Sequence, residues 1–179
     1  MMKLIAVLLL VVFTTFTTSD PDNLQDICVA DLASAIIVNG FPCKPATTVT
    51  AADFSSKILA TPGGINPPHS HPRATEILFV LEGQLDVGFI TTANVLISKT
   101  IVKGEIFVFP KGLVHFQKNS GYGPASVISA FNSQLQGTVN IALTLFAATP
   151  PVADQVLAQT FKASIQEIQR TKASFAPRN

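Results

Sequence analysis

Two stretches of the chain hold all of its histidines: Gly63-x5-His69-x-His71-x4-Glu76-x6-Gly83 and Gly104-x5-Pro110-x-Gly112-x2-His115-x3-Asn119. They supply three imidazoles and one carboxylate, and no histidine lies outside them, since the 179 residues contain only three. Three neutral imidazoles with one carboxylate leave open positions on an octahedral ion. Such a set suits Mn or Fe, with Zn or Ni also possible, whereas a structural zinc would call for thiolates and calcium for mostly oxygen ligands. An isolated His-x-His is usually a pair of ordinary histidines. Four ligand groups in two glycine-framed blocks argue for a metal instead.

The elements around these residues must bring them to one point. On an extended strand residues i and i+2 share a face, so His69 and His71 point the same way while Ser70 points oppositely. Glu76 has the wrong parity for an unbroken strand. Pro72 cannot donate to a sheet ladder, and a bend over Pro72-Arg73-Ala74 resets the register so that Glu76, Leu78 and Val80 face inward on the next strand. Gly112 permits the sharp turn that delivers His115 as a fourth ligand. Short strands are predicted at 77–81, 84–90, 106–109, 126–131 and 139–146, with turns at Glu82-Gly83, Pro110-Lys-Gly112 and Gly121-Tyr-Gly-Pro124. Several strands at near-regular spacing without intervening helices predict an all-β sandwich or barrel and exclude parallel βαβ winding. After Pro150-Pro151 the pattern changes: Val156, Leu157, Phe161, Ile165 and Ile168 suit two short amphipathic helices over 152–161 and 164–175, a C-terminal helical arm. The strand at 77–81 is apolar on both faces, so its outer side needs cover from a neighbouring subunit.

Length and composition allow one domain and a sizeable core, with 47% hydrophobic and 13% charged residues. A formal charge of +1 and the absence of basic runs argue against nucleic acid as a partner. Residues 1–19 read as a signal peptide: Lys3, an apolar run over 4–13 too short to span a bilayer, and Thr17-Thr18-Ser19 before Asp20. The mature domain is then 20–179, and no other segment resembles a membrane span. Cys28 and Cys43 are the only cysteines. In an exported chain an even count favours a disulfide, here closing a loop of about 15 residues and contributing ~3 kcal/mol in the chain-entropy model.

At these residues the chain resembles the germin-like proteins of the cupin superfamily, plant proteins of the cell wall. The first block runs Gly63-Gly-Ile-Asn-Pro-Pro-His-Ser-His-Pro-Arg-Ala-Thr-Glu76 and the second Lys111-Gly-Leu-Val-His-Phe-Gln117. The similarity extends to Ser19-Asp-Pro-Asp-Asn-Leu-Gln-Asp-Ile-Cys-Val-Ala-Asp-Leu32, Asn39-Gly-Phe-Pro-Cys-Lys44 and Pro150-Pro-Val-x-x-x-Val-Leu157. The resemblance implies a cupin jelly-roll β-barrel, a Cys28–Cys43 disulfide, manganese held by His69, His71, Glu76 and His115, and a homo-oligomer, specifically a hexamer. It also implies an internal segment, between Ala51-Ala-Asp-Phe54 and Ser55-Ser-Lys-Ile-Leu-Ala-Thr-Pro-Gly-Gly64, that this chain lacks.

Activity in that family divides between oxalate oxidase, superoxide dismutase and members with neither. Two asparagines and a glutamine orient oxalate in the oxidases; Asn66 and Gln117 match by position and are candidate catalytic residues, while Ser56 stands where the third amide is expected. The resemblance therefore implies a secreted, manganese-binding protein of the apoplast, dismutase-like and associated with defence, without oxalate oxidase activity. The alternatives are a non-enzymatic wall protein, a small-carboxylate or auxin-type binding module with an apolar inner face around Leu78, Val80 and Val108, or a truncated inactive paralogue. Small oxygen species or a small carboxylate are the expected ligands, and membrane is not an expected partner.

Overall fold

The computed structural model describes residues 29, 31, 33–38, 41–54, 56–133 and 135–176. The predicted signal peptide and Cys28 lie outside these residues. The chain divides into two units, one of residues 57–131 with 136–179 and the other of the remainder. In the smaller unit β1 (Ile37–Val38) pairs antiparallel with β2 (Phe41–Pro42), and Lys44 forms a 2.5 Å ion pair with Asp53.

The larger unit consists of two antiparallel sheets followed by helices. Strands β3 (Ile65–Ser70), β5 (Gln84–Ile90), β6 (Leu96–Val102), β8 (His115–Asn119) and β10 (Val139–Asn140) form a five-stranded sheet in the order β10-β3-β8-β5-β6. Strands β4 (Glu76–Glu82), β7 (Ile106–Phe109) and β9 (Ser126–Phe131) form a three-stranded sheet in the order β7-β4-β9. This is the expected jelly roll. Its core is built by alternation, with Leu78, Val80, Leu85, Val87, Ile101 and Phe109 all buried. On β4 the predicted parity holds: Glu76, Leu78 and Val80 are buried while Ile77 and Leu81 are exposed.

Four details differ from the sequence reading. Val108 faces outward, 46% exposed beside Ile77, and it is Phe109 that lines the interior. Only Val139–Asn140 of the strand predicted over 139–146 is extended. The Asn140 side chain accepts from Leu143 N at 3.1 Å and caps helix α1 (Ile141–Phe146), so a short apolar run that periodicity cannot assign becomes helical through its cap. Strand β6 had no clear alternation to reveal it, because of its seven residues only Ile101 is buried. The predicted helical arm is present as α2 (Asp154–Phe161) and α3 (Ile165–Phe175), the latter opened by a Ser164–Glu167 capping box. Of the five apolar residues whose spacing predicted the amphipathic helices, only Leu157 and Ile168 are buried; Val156, Phe161 and Ile165 are exposed.

Candidate metal centre

Four side chains from three strands and the turn after β3 converge on one point inside the larger unit. His69 comes from β3, His71 from one residue past its end, Glu76 from the first position of β4 and His115 from the first position of β8. His69 and His115 are register partners, so their rings lie side by side with centroids 4.2 Å apart. The register between β3 and β8 shifts between Asn66 and His69, the stretch that contains Pro67 and Pro68, neither of which can donate to the ladder. Gly112 adopts φ of 78°, the left-handed conformation expected of the turn before His115. One ligand atom from each of the four residues lies within 4.8 Å of every other, and all four residues are buried.

Hydrogen bonds fix which ring nitrogens face inward. His69 Nδ1 lies 2.8 Å from Pro67 O, and His115 Nδ1 lies 2.8 Å from Leu113 O. A carbonyl only accepts, so each Nδ1 donates, and in the neutral ring each Nε2 is left with a lone pair facing the cluster. His71 presents Nδ1 to Thr138 Oγ1 at 3.4 Å. The Nε2 atoms of His71 and His115 each lie 3.1 Å from Glu76 Oε2, and Ser129 donates to Glu76 Oε1 at 2.7 Å. Each Nε2–Oε2 contact requires a proton between its atoms or a metal in place of the proton. An imidazole already donating from Nδ1 can provide that proton only as imidazolium. The donor set therefore fits a divalent metal, for which the same inward atoms serve as ligands.

The charge states agree with this. Burial pushes the Glu76 carboxyl upward, but the hydrogen bonds with His115, His71 and Ser129 outweigh it and hold the group at about 2. Burial is the main cause lowering the His69 pKa; the Pro67 carbonyl opposes it, His115 and His71 add to it, and Glu76 opposes it. An ionised carboxylate and a neutral imidazole are the forms that bind metal.

Aromatic rings pack the imidazoles in place. Phe109 stacks on His115 at 4.5 Å and 21°, and Phe131 meets His71 edge-on at 4.8 Å. Asn66 and Gln117 are register partners on β3 and β8, with Asn66 Nδ2 3.5 Å from His69 Nε2. Gln117 is 1% exposed, and neither polar atom of its side chain has a hydrogen-bond partner in the structure. Ser56 is exposed and lies on no strand, in the smaller unit. Cys43 is buried, but its expected bond to Cys28 falls outside the described residues. The sequence reading gave no role to Ser129, Thr138, Phe109 or Phe131. Only Ser129 left a trace there, as a hydroxyl at alternate spacing with Val127 and Phe131.

A jelly roll with three histidines and a glutamate buried between its sheets is the architecture of a metal-binding cupin. The chain matches the cupin family over residues 45–169. It is 57% identical to the rhicadhesin receptor of Pisum sativum, with 99% of this chain and 100% of that one covered. It is also 50% identical to germin-like protein subfamily 2 member 1 of Arabidopsis thaliana, covering 99% and 97%. Among solved structures it is similar to an oxalate oxidase in complex with the substrate analogue glycolate, at 38% identity and a TM-score of 0.66 over 88% of this chain and 98% of that one. The chain belongs to the germin-like proteins of the cupin family. Its alignment with the pea protein runs over 216 positions against 179 residues here, so the relative carries a stretch that this chain lacks. No helix among the described residues is long and apolar enough to cross a membrane.

Proposed function

We propose that this germin-like protein is a secreted, homo-oligomeric, manganese-binding protein of the plant apoplast whose site turns over superoxide in a defence setting and does not oxidise oxalate. The observation that carries the reading is the buried convergence of His69, His71, Glu76 and His115 within 4.8 Å, with the Nδ1 atoms of His69 and His115 held by main-chain carbonyls. A bound redox-active manganese would supply single-electron exchange with superoxide. The residues around it keep Glu76 ionised, keep His69 neutral and exclude bulk water from the ligands. Superoxide needs an open coordination position and little else, whereas oxalate must be clamped as a dianion. Of the three amides expected to clamp it, Asn66 and Gln117 are present and the third position holds Ser56.

A second reading, a small-carboxylate binding module, draws support from the unpartnered amide of Gln117. A buried amide without partners is costly unless a ligand or water meets it, and a carboxylate held beside the metal would accept from its Nε2.

The test is elemental mass spectrometry on secreted protein from a size-exclusion peak, followed by superoxide and oxalate assays. We expect about one manganese per chain, superoxide turnover without oxalate turnover, and loss of nearly all metal in His115→Ala. A folded, metal-free wild type would reduce the chain to an inactive paralogue. Metal with neither activity, together with carboxylate binding that requires the metal, would favour the binding module.

A further inference from the structure

The inner face of β9 carries Val127, Ser129 and Phe131. Val127 packs against the core, Phe131 meets His71, and Ser129 is the register partner of buried Leu78. A hydroxyl stands between these two apolar residues, and although Ser129 is exposed its hydroxyl donates within the protein. Its partner is Glu76, whose Oε1 accepts from it at 2.7 Å.

The two carboxylate oxygens of Glu76 are thereby divided. Oε2 faces His71 and His115 at 3.1 Å, and Oε1 is turned toward Ser129. The terminal torsion of a glutamate is broad, so the plane of the carboxylate is fixed only by what its oxygens touch. His69 and His115 take their anchors from carbonyls two residues earlier in their own segments, whereas the anchor of Glu76 comes from a different strand. From Glu76↔Phe131 through Val80↔Val127 the β4–β9 register runs unbroken, and its irregularity lies beyond, between Val80 and Glu82. The hydroxyl is therefore carried to Glu76 by regular strand pairing.

We infer that Ser129 is a positioning residue that holds Glu76 as a one-oxygen ligand to a divalent metal, an assignment that rests on the metal-binding reading above. It couples the pairing of β9 with β4 to the affinity and ligand field of the site. Ser129 itself touches neither metal nor substrate.

The experiment compares full-length wild type, Ser129→Ala, Ser129→Thr and Ser129→Val after removal of metal with a chelator. Each protein is titrated with manganese(II) chloride against a competing fluorescent chelator at neutral pH, and the bound ion is examined by electron paramagnetic resonance. Thr and Val share a shape and differ in the hydroxyl, so that pair separates hydrogen bonding from packing. Ser129→Ala and Ser129→Val are expected to weaken manganese binding about 10- to 100-fold and to change the zero-field splitting. Ser129→Thr is expected to retain both affinity and spectrum, and thermal melts should place all four proteins in the folded state. Equal affinity and spectra in the Thr and Val variants would overturn the assignment while leaving the metal site intact. A wild type that takes up no manganese would overturn the metal reading, and the role of Ser129 with it.

Discussion

At the scale of single residues, the site without metal is a cluster of groups whose protonation is coupled to folding. Glu76 sits at about 2, below its ordinary 4.5, so its contribution to stability is fully present above about pH 4.5 and is lost as pH falls toward 2. His69 is also lowered, from 6.5, mainly by burial. The unfolded chain therefore takes up its proton first, and acidification below about pH 6.5 disfavours the folded state. Thermal melts of metal-stripped protein should accordingly fall in two stages, the first below about pH 6.5 and the second below about pH 4.5. Glu76→Gln should remove the lower stage and abolish metal uptake, because an amide brings no charge to the three imidazoles. A melting profile that keeps its lower stage in this variant would assign that stage to another carboxyl.

The elements succeed or fail as carriers of the site through their turns and registers. Gly83 joins β4 to β5 at φ of 84°, and a Cβ there would lie 2.5 Å from Pro124 O and 2.8 Å from Ala125. Gly83→Ala should cost about 2 kcal/mol or more, read from urea denaturation, by combining left-handed strain with an overpacked backbone. Much of this architecture was legible in the sequence. The inward set Glu76, Leu78 and Val80 follows from alternation once Pro72 resets the parity, and the four ligands follow from residue type and glycine-framed spacing. Other features depend on information that no local window contains. Strand β6 buries a single side chain, so it has no pattern to read, and α1 is decided by the Asn140 cap rather than by its apolar run. Ser129 and Thr138 acquire their roles from strands and turns that lie 53 and 67 residues from the ligands they touch. Register across a sheet, which a one-residue slip would invert, makes those contacts.

At the scale of the molecule, the outer face of the three-stranded sheet presents Ile77, Leu81, Ile106, Val108 and Ile128, all between 42% and 61% exposed. An apolar face of this kind is more often an interface than bare surface, which supports the homo-oligomer proposed above. Light scattering on a size-exclusion column should give a multiple of the chain mass for wild type and a smaller particle for Ile106→Lys combined with Ile128→Lys. An unchanged mass in that double variant would place the subunit contact elsewhere. The arrangement of the ligands also bears on how such an assembly acquires its ion. Glu76 and His115 are 39 residues apart, and His115 reaches the other three only when β8 is paired between β3 and β5. The nascent chain thus has no complete site to offer. By intrinsic affinity most nitrogen and oxygen sites prefer copper or zinc to manganese. On the metal-binding reading proposed above, the ion captured depends on the metals present where β8 pairs with β3 and β5, so the place of folding bears on the choice of metal.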